Sequence, residues 1–213
     1  TVFMTAISLF IALPLVYSNF GFMWLMVAIG GLIVLLFIFF QMQRKEKNPT
    51  VDLKLLKNPG VHIPSILIAV QNFMMLSILM SLTFLSADNP NVSPLQVGLI
   101  TTVLFTTAML ISPVIGVLLD RFNPIYLVYV ALAFGFGGII LYLNIDITSS
   151  LLAILTVMGF VGVCSSLMNA ALMKIVIGYT PMNQKGVGTG TFTLFKDLGP
   201  PLGSSLGLTI YGL

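Results

Sequence analysis

Of 213 residues only 7% are charged and 58% are hydrophobic, whereas a soluble domain carries roughly a quarter charged residues. No water-facing globule covers that much apolar surface, and disorder is excluded by the same composition. The net charge of +3 is thinly spread outside one loop and does not point to nucleic acid.

Seven stretches are apolar and long enough to cross about 30 Å of hydrocarbon as helices: 2–17, 21–41, 61–86, 94–119, 124–143, 150–178 and 187–212. The expected fold is therefore all-α and polytopic. No basic region precedes the first stretch and no small-residue cleavage site follows it, so it does not read as a signal peptide. The chain opens on Thr1 and stops inside a hydrophobic stretch, which reads as a piece of a longer protein.

The connections alternate in charge. Arg44, Lys45, Lys47, Lys54, Lys57, Arg121, Lys174 and Lys185 fall on one side of the expected membrane, while the turns at 18–20, 87–93 and 144–149 carry only Asp88 and Asp146. The positive-inside rule assigns the basic side to the cytoplasm. Single cysteines introduced as Lys47→Cys and Asp146→Cys should therefore react with an impermeant maleimide from opposite sides. Labelling of both from outside would contradict this orientation.

The longest break, 42–60, is punctuated by Pro49 and Pro59, and Val51, Leu53, Leu55 and Leu56 mix with Asp52, Lys54 and Lys57. That pattern suits an amphipathic segment on the inner leaflet. It divides a two-helix unit, 1–41, from a five-helix unit, 61–213. His62, just past it, reads as a solvated interfacial side chain, with a proton relay as the lesser alternative.

Ser93-Pro94-Leu95-Gln96 is a helix start, with Ser as cap, Pro at the first helical position and Gln positioned for a capping box. The same span ends in Pro113, Gly116, Asp120 and Arg121. A Gly one turn before an Asp-Arg pair permits close helix approach. The Asp can accept from a neighbouring helix N-terminus, and the Arg can bond exposed carbonyls or an acid; the alternative is an ordinary charged turn. Gln71 and Asn72 lie mid-span in the third stretch, and Ser165, Ser166 and Asn169 do so in the sixth. With Met74, Met75, Met80, Met158, Met168 and Met173 they suit the lining of an adaptable cavity, or ordinary helix packing. Lys174 is positioned to snorkel to the inner interface.

The last stretch carries the costliest groups. With Lys196 at zero and about 100° per residue, Thr189, Gly203 and Gly207 fall within about 20°. Thr193, Asp197, Ser204, Gly186 and Gly190 lie between about 60° and 120°, and leucines with Phe195 fill the other side. Small polar faces serve close helix contact or a water-filled cavity, and Gly199, Gly203 and Gly207 repeat at the spacing of a GxxxG contact. Lys196 lies about 16 Å of helix beyond Lys185, near the midplane, where a lone charge costs about 2.5–3.5 kcal/mol. Pro200 and Pro201 remove the N–H groups that would bond the Lys196 and Asp197 carbonyls, which predicts a broken helix of the kind that lines transporter sites. Asp197 is the better proton carrier of the pair; Lys196 would hold an acid or carbonyl on a neighbouring helix.

The motifs GVLLDRF (116–122), NPTVDLKLLKNPG (48–60) and KGVGTGTFTLFKDLGPPLGSSLG (185–207) resemble loop and helix motifs of the major facilitator superfamily, and in particular of its fourteen-helix drug:proton antiporters. Asn123 stands where that family often has Gly, Lys196 where Arg is usual and Asp197 where Gln is common. The resemblance implies that 1–41 are two linker helices and 61–213 the first five helices of a C-terminal bundle, with an N-terminal bundle missing. It further implies proton-driven export of an apolar or cationic small molecule across a bacterial cytoplasmic membrane. The partners would be substrate, protons and membrane lipid. A substrate-specific carrier of sugar, amino acid or lipid precursor is the close alternative, and a non-transporting scaffold a more distant one. One His, one Cys and no P-loop leave no metal site, no cofactor and no catalytic set, so no enzyme is expected.

Overall fold

The computed structural model describes residues 55–87, 93–145 and 150–211. The expected spans 2–17 and 21–41, and most of the 42–60 loop, lie outside the described residues. Among the described residues five long helices follow one another: α1 (Pro59–Ala87), α2 (Pro94–Arg121), α3 (Pro124–Tyr142), α4 (Leu151–Tyr179) and α5 (Lys185–Tyr211). Short 3₁₀ turns precede α1 (Leu55–Lys57) and α5 (Met182–Gln184). The first four helices are long and apolar enough to cross a membrane. With 27 residues, or about 40 Å of rise, α5 is long enough too, but its Gly, Thr, Lys and Asp residues make it less apolar.

Local sequence explains where the helices begin. Proline occupies the first position of α1, α2 and α3, where its missing N–H is no loss and its φ is already helical. The residue before each is Asn or Ser. Asn58 Oδ1 accepts from Gly60 N at 3.0 Å, Asn123 Oδ1 from Ile125 N at 3.0 Å, and Ser150 Oγ from Ala153 N at 3.4 Å. At the start of α2, Gln96 Oε1 accepts from Ser93 N at 2.7 Å, one half of the expected capping box. The turn between α2 and α3 needs no glycine. Phe122 and Asn123 both adopt extended backbone at negative φ, so Asn at this position builds the turn by capping α3.

The helices run alternately up and down, and contacts near their ends confirm that the basic termini lie together. Asn58 Nδ2 donates to the Tyr179 carbonyl at 3.2 Å, joining the start of α1 to the end of α4. The ring of Tyr179 lies against Gly60, where any Cβ would collide with it. Gly188 of α5 is pressed likewise against Thr180. At the opposite end, Ser81 Oγ and Tyr142 Oη are 2.7 Å apart, linking α1 to α3. His62 differs from expectation: it is partly buried and its Nδ1 is enclosed with no partner among the described residues, because the helix begins at Pro59 and carries it into the bundle.

Two apolar clusters fill the interior. One, at the basic end, centres on Val61, Ile68, Ala171, Leu172, Val176 and Phe192; the other, towards the far end, on Leu82, Ile100, Leu104, Ile154, Val157 and Met158. Small residues set the crossings. A Cβ at Gly162 of α4 would strike the Leu104 carbonyl of α2, and Gly135, Gly137 and Gly138 of α3 lie against Cys164, Phe160 and Val161 of α4. In lipid, where apolar side chains gain little by leaving their surroundings, such close approach supplies much of the association energy.

Candidate functional site

The seam between α1 and α5 holds the part of α5 that carries Lys196 and Asp197. Gly199 sits on the Ala69 carbonyl and Gly203 on the Phe73 carbonyl, so closely that a Cβ at either would overlap backbone oxygen. Helix axes can come this near only where neither side chain intervenes. The expected break at Pro200-Pro201 does not occur: α5 is continuous through both prolines. The carbonyl of Lys196, deprived of the Pro200 N–H, is instead taken by Asn72 Nδ2 at 3.1 Å. Ser77 Oγ lies 2.9 Å from the carbonyl oxygens of both Phe73 and Gly203, so its one proton can serve either. The neighbouring helix thus supplies, through Asn72, the donor that Pro200 removes at Lys196, and the helix holds its course.

Asn72 is therefore committed to the seam. It is 6% exposed and bonds backbone rather than facing a substrate cavity. Gln71, one residue and about 100° away, faces the other side and lines a cavity between α1, α3 and α4. Ser166 Oγ donates to the Ala108 carbonyl at 3.2 Å and belongs to the α2–α4 crossing. Ser165 and Asn169, one turn apart on α4, are half-buried. Of the five polar side chains expected to share one cavity, Asn72 and Ser166 are instead bonded to backbone of neighbouring helices, because each turns about 100° from the residue before it.

The small face of α5 divides in two. Gly199, Gly203 and the buried Phe192 and Thr191 turn inward, whereas Gly186, Thr193 and Asp197 are exposed. Asp197 lies on the other side of the helix from the seam, about 18 Å of rise beyond Lys185. Lys196 is half-buried beside it. Among the described residues neither side chain has an ion-pair partner; the ion pair found there joins Lys174 and Asp120. The surroundings of Gly207 lie outside the described contacts.

That ion pair replaces the arrangement expected at the 116–122 turn. Asp120 does not cap a neighbouring helix. Its Oδ1 lies 3.8 Å from Lys174 Nζ, and the same ammonium donates to the Leu119 carbonyl. Lys174 of α4 therefore clasps the last turn of α2, satisfying a terminal carbonyl where the helix dipole is negative. The partners of Lys174, Asp120 and the Leu119 carbonyl, lie on another helix, so no motif within α4 indicates them. Arg121 is exposed, and Gly116 faces open space, with nothing among the described residues near its Cβ position. It brings no pair of described helices together.

The Asp120 side chain is 87% exposed, and such pairs contribute about 0–1 kcal/mol to stability. Asp120→Asn in the full-length protein should therefore leave expression and melting nearly unchanged while lowering transport several-fold, if opening and reforming the clasp is part of the cycle. Transport at the wild-type rate would reduce it to a solvated turn.

No solved structure matches the chain. The family model described as Major Facilitator Superfamily matches residues 63–213, a stretch that takes in nearly all of the five-helix bundle together with its α1–α5 seam and Lys174–Asp120 clasp, and the chain belongs to that superfamily of multi-pass membrane transporters.

Proposed function

We propose that this chain is part of a proton-driven multidrug exporter that works by alternating access. In that reading 1–41 are linker helices, 61–213 are the first five helices of the C-terminal bundle, and an N-terminal bundle completes the transporter in a bacterial cytoplasmic membrane. The observation that carries the reading is Asp197. It is a carboxylate on a membrane helix, on the exposed flank with Thr193 and Gly186, and it has no cation paired with it among the described residues. A bare carboxylate is costly in hydrocarbon and is retained where it meets water or a proton path. Asn72 and the glycine seam hold the helix that bears it, so its position is fixed by α1.

The extent of the polar flank favours an aqueous face running from the basic end of α5 to mid-membrane. A proton taken by Asp197 would neutralise it, and a cationic substrate would be favoured when it is charged. The test is transport of tetraphenylphosphonium and ethidium by the full-length protein in proteoliposomes under an imposed pH gradient. Accumulation driven by the gradient and abolished by a protonophore is expected. Movement of sugars or amino acids with no response to either cation would favour a substrate-specific carrier of the same superfamily.

A further inference from the structure

An ordinary residue at position 200 would close the hydrogen bond to the Lys196 carbonyl inside α5, with no help from outside. Proline cannot, and the bond is made instead by Asn72 of α1, at 3.1 Å. The straight course of α5 is thereby conditional on contact with another helix. A second side chain of α1 reaches across the same seam. Ser77 Oγ lies 2.9 Å from the Gly203 carbonyl of α5 and 2.9 Å from the Phe73 carbonyl of its own helix. Its single proton can cross the seam or withdraw from it without leaving the hydroxyl unbonded. The two helices also meet at Gly199 and Gly203, which rest on the backbone of Ala69 and Phe73, so no side chain of α5 interlocks with α1 at those contacts. Asp197, on the exposed flank, is the residue after the one whose carbonyl Asn72 holds.

We propose that Asn72 is the latch of a proline hinge: bonded to the Lys196 carbonyl it holds α5 straight, and released it lets α5 bend at Pro200-Pro201, turning the segment that carries Asp197 relative to the rest of the helix. Without the latch the Lys196 carbonyl has no donor at position 200, and Pro201 likewise takes the N–H from the Asp197 carbonyl. Each proline ring also presses on the carbonyl four residues back, which favours a bend that opens the backbone on that side. Carbonyls opened in this way are tolerated in a membrane where water or a neighbouring helix meets them. One side-chain bond suits detachment. It favours the straight form by about tenfold, enough to set the resting course of α5 and too little to lock it. The consequence for coupling rests on Asp197 being the proton carrier; the latch itself does not.

Double electron–electron resonance between spin labels at Gly186→Cys and Thr209→Cys reads the bend, in an otherwise cysteine-free full-length protein in nanodiscs. The two sites flank the prolines and are about 35 Å apart along a straight helix. Nothing described lies within 4 Å of a Cβ at position 186. The unsubstituted hinge should give a main distance for the straight helix and a minor, shorter one. Asn72→Ala should raise the shorter population about tenfold relative to the longer. Pro200→Ala restores the N–H and removes only ring atoms. It should diminish the shorter population and leave Asn72→Ala almost without effect, the mark of two residues acting on one bond. A purely structural role for Asn72 predicts a single distance in every variant that folds. A single distance throughout, or an Asn72→Ala shift that persists undiminished beside Pro200→Ala, would overturn the proposal. Should Asn72→Ala fail to fold, Pro200→Ala alone decides: a shorter population that it diminishes supports the hinge, and an unchanged distribution refutes it. No substrate is needed, so the outcome does not depend on whether tetraphenylphosphonium is exported.

Discussion

Asp197→Asn should abolish gradient-driven export while leaving substrate binding in place. The substitution keeps the size of the side chain and its place on the exposed flank of α5 with Thr193, and it removes the group that can take up a proton. Because Asp197 makes no ion pair among the described residues, nothing structural is broken and the protein should fold and melt as the wild type does. Export under a pH gradient is expected to fall by about two orders of magnitude, the scale of losing a positioned proton donor. Equilibrium binding of tetraphenylphosphonium and its exchange without a gradient should survive. Lys196→Gln should behave differently. Its backbone carbonyl, not its ammonium, is what Asn72 holds, so the seam persists and any loss reports the side chain alone.

Gly199→Leu should prevent stable packing of the bundle. Gly199 abuts the Ala69 carbonyl and the backbone of Phe73, and a branched side chain there has no rotamer that avoids backbone atoms. Overpacking of this kind costs about 1–3 kcal/mol when neighbours can yield; here they are backbone atoms of α1, and the cost should reach at least the top of that range. The separated helices would also expose the Lys196 carbonyl that Asn72 satisfies at 3.1 Å. The expected result is loss of the monodisperse peak in size-exclusion chromatography and a large fall in melting temperature. Gly159→Ala is the control: nothing lies within 4 Å of its Cβ position, so it should be tolerated and gain the helix propensity of Ala. Equal tolerance of both substitutions would show that the seam does not hold the bundle together.

These two results concern opposite sides of one helix, and the wheel drawn from sequence had already separated them in part. Hydrophobic period and length locate all five described helices to within two residues at each end, because the first four are long apolar runs bounded by Pro, Asn or Ser. The small polar face of α5 was equally visible. What periodicity cannot give is the partner. It grouped Gly203 with Lys196 but did not reveal that α1 would press on one flank and leave the other open. The proline pair shows the same limit. The sequence identifies which carbonyl Pro200 frees; that Asn72 recaptures it, and so keeps α5 continuous, depends on a residue 124 positions away. Gln71 and Asn72 look like one polar site on the page and serve two unrelated ones, since adjacent helical residues point about 100° apart. Lys174 and Asp120 meet for a reason no local motif carries: α2 and α4 cross so that the ends of both lie on the basic side.

The most direct measurement of the central claim, that Asp197 couples substrate to protons, is proton release on ligand binding. Purified full-length protein in weakly buffered detergent solution is mixed with tetraphenylphosphonium, and the pH change is followed with an indicator dye. The account predicts release of protons by the wild type and none by Asp197→Asn at equal occupancy. Equal release from both proteins, or none from the wild type despite binding, would contradict it.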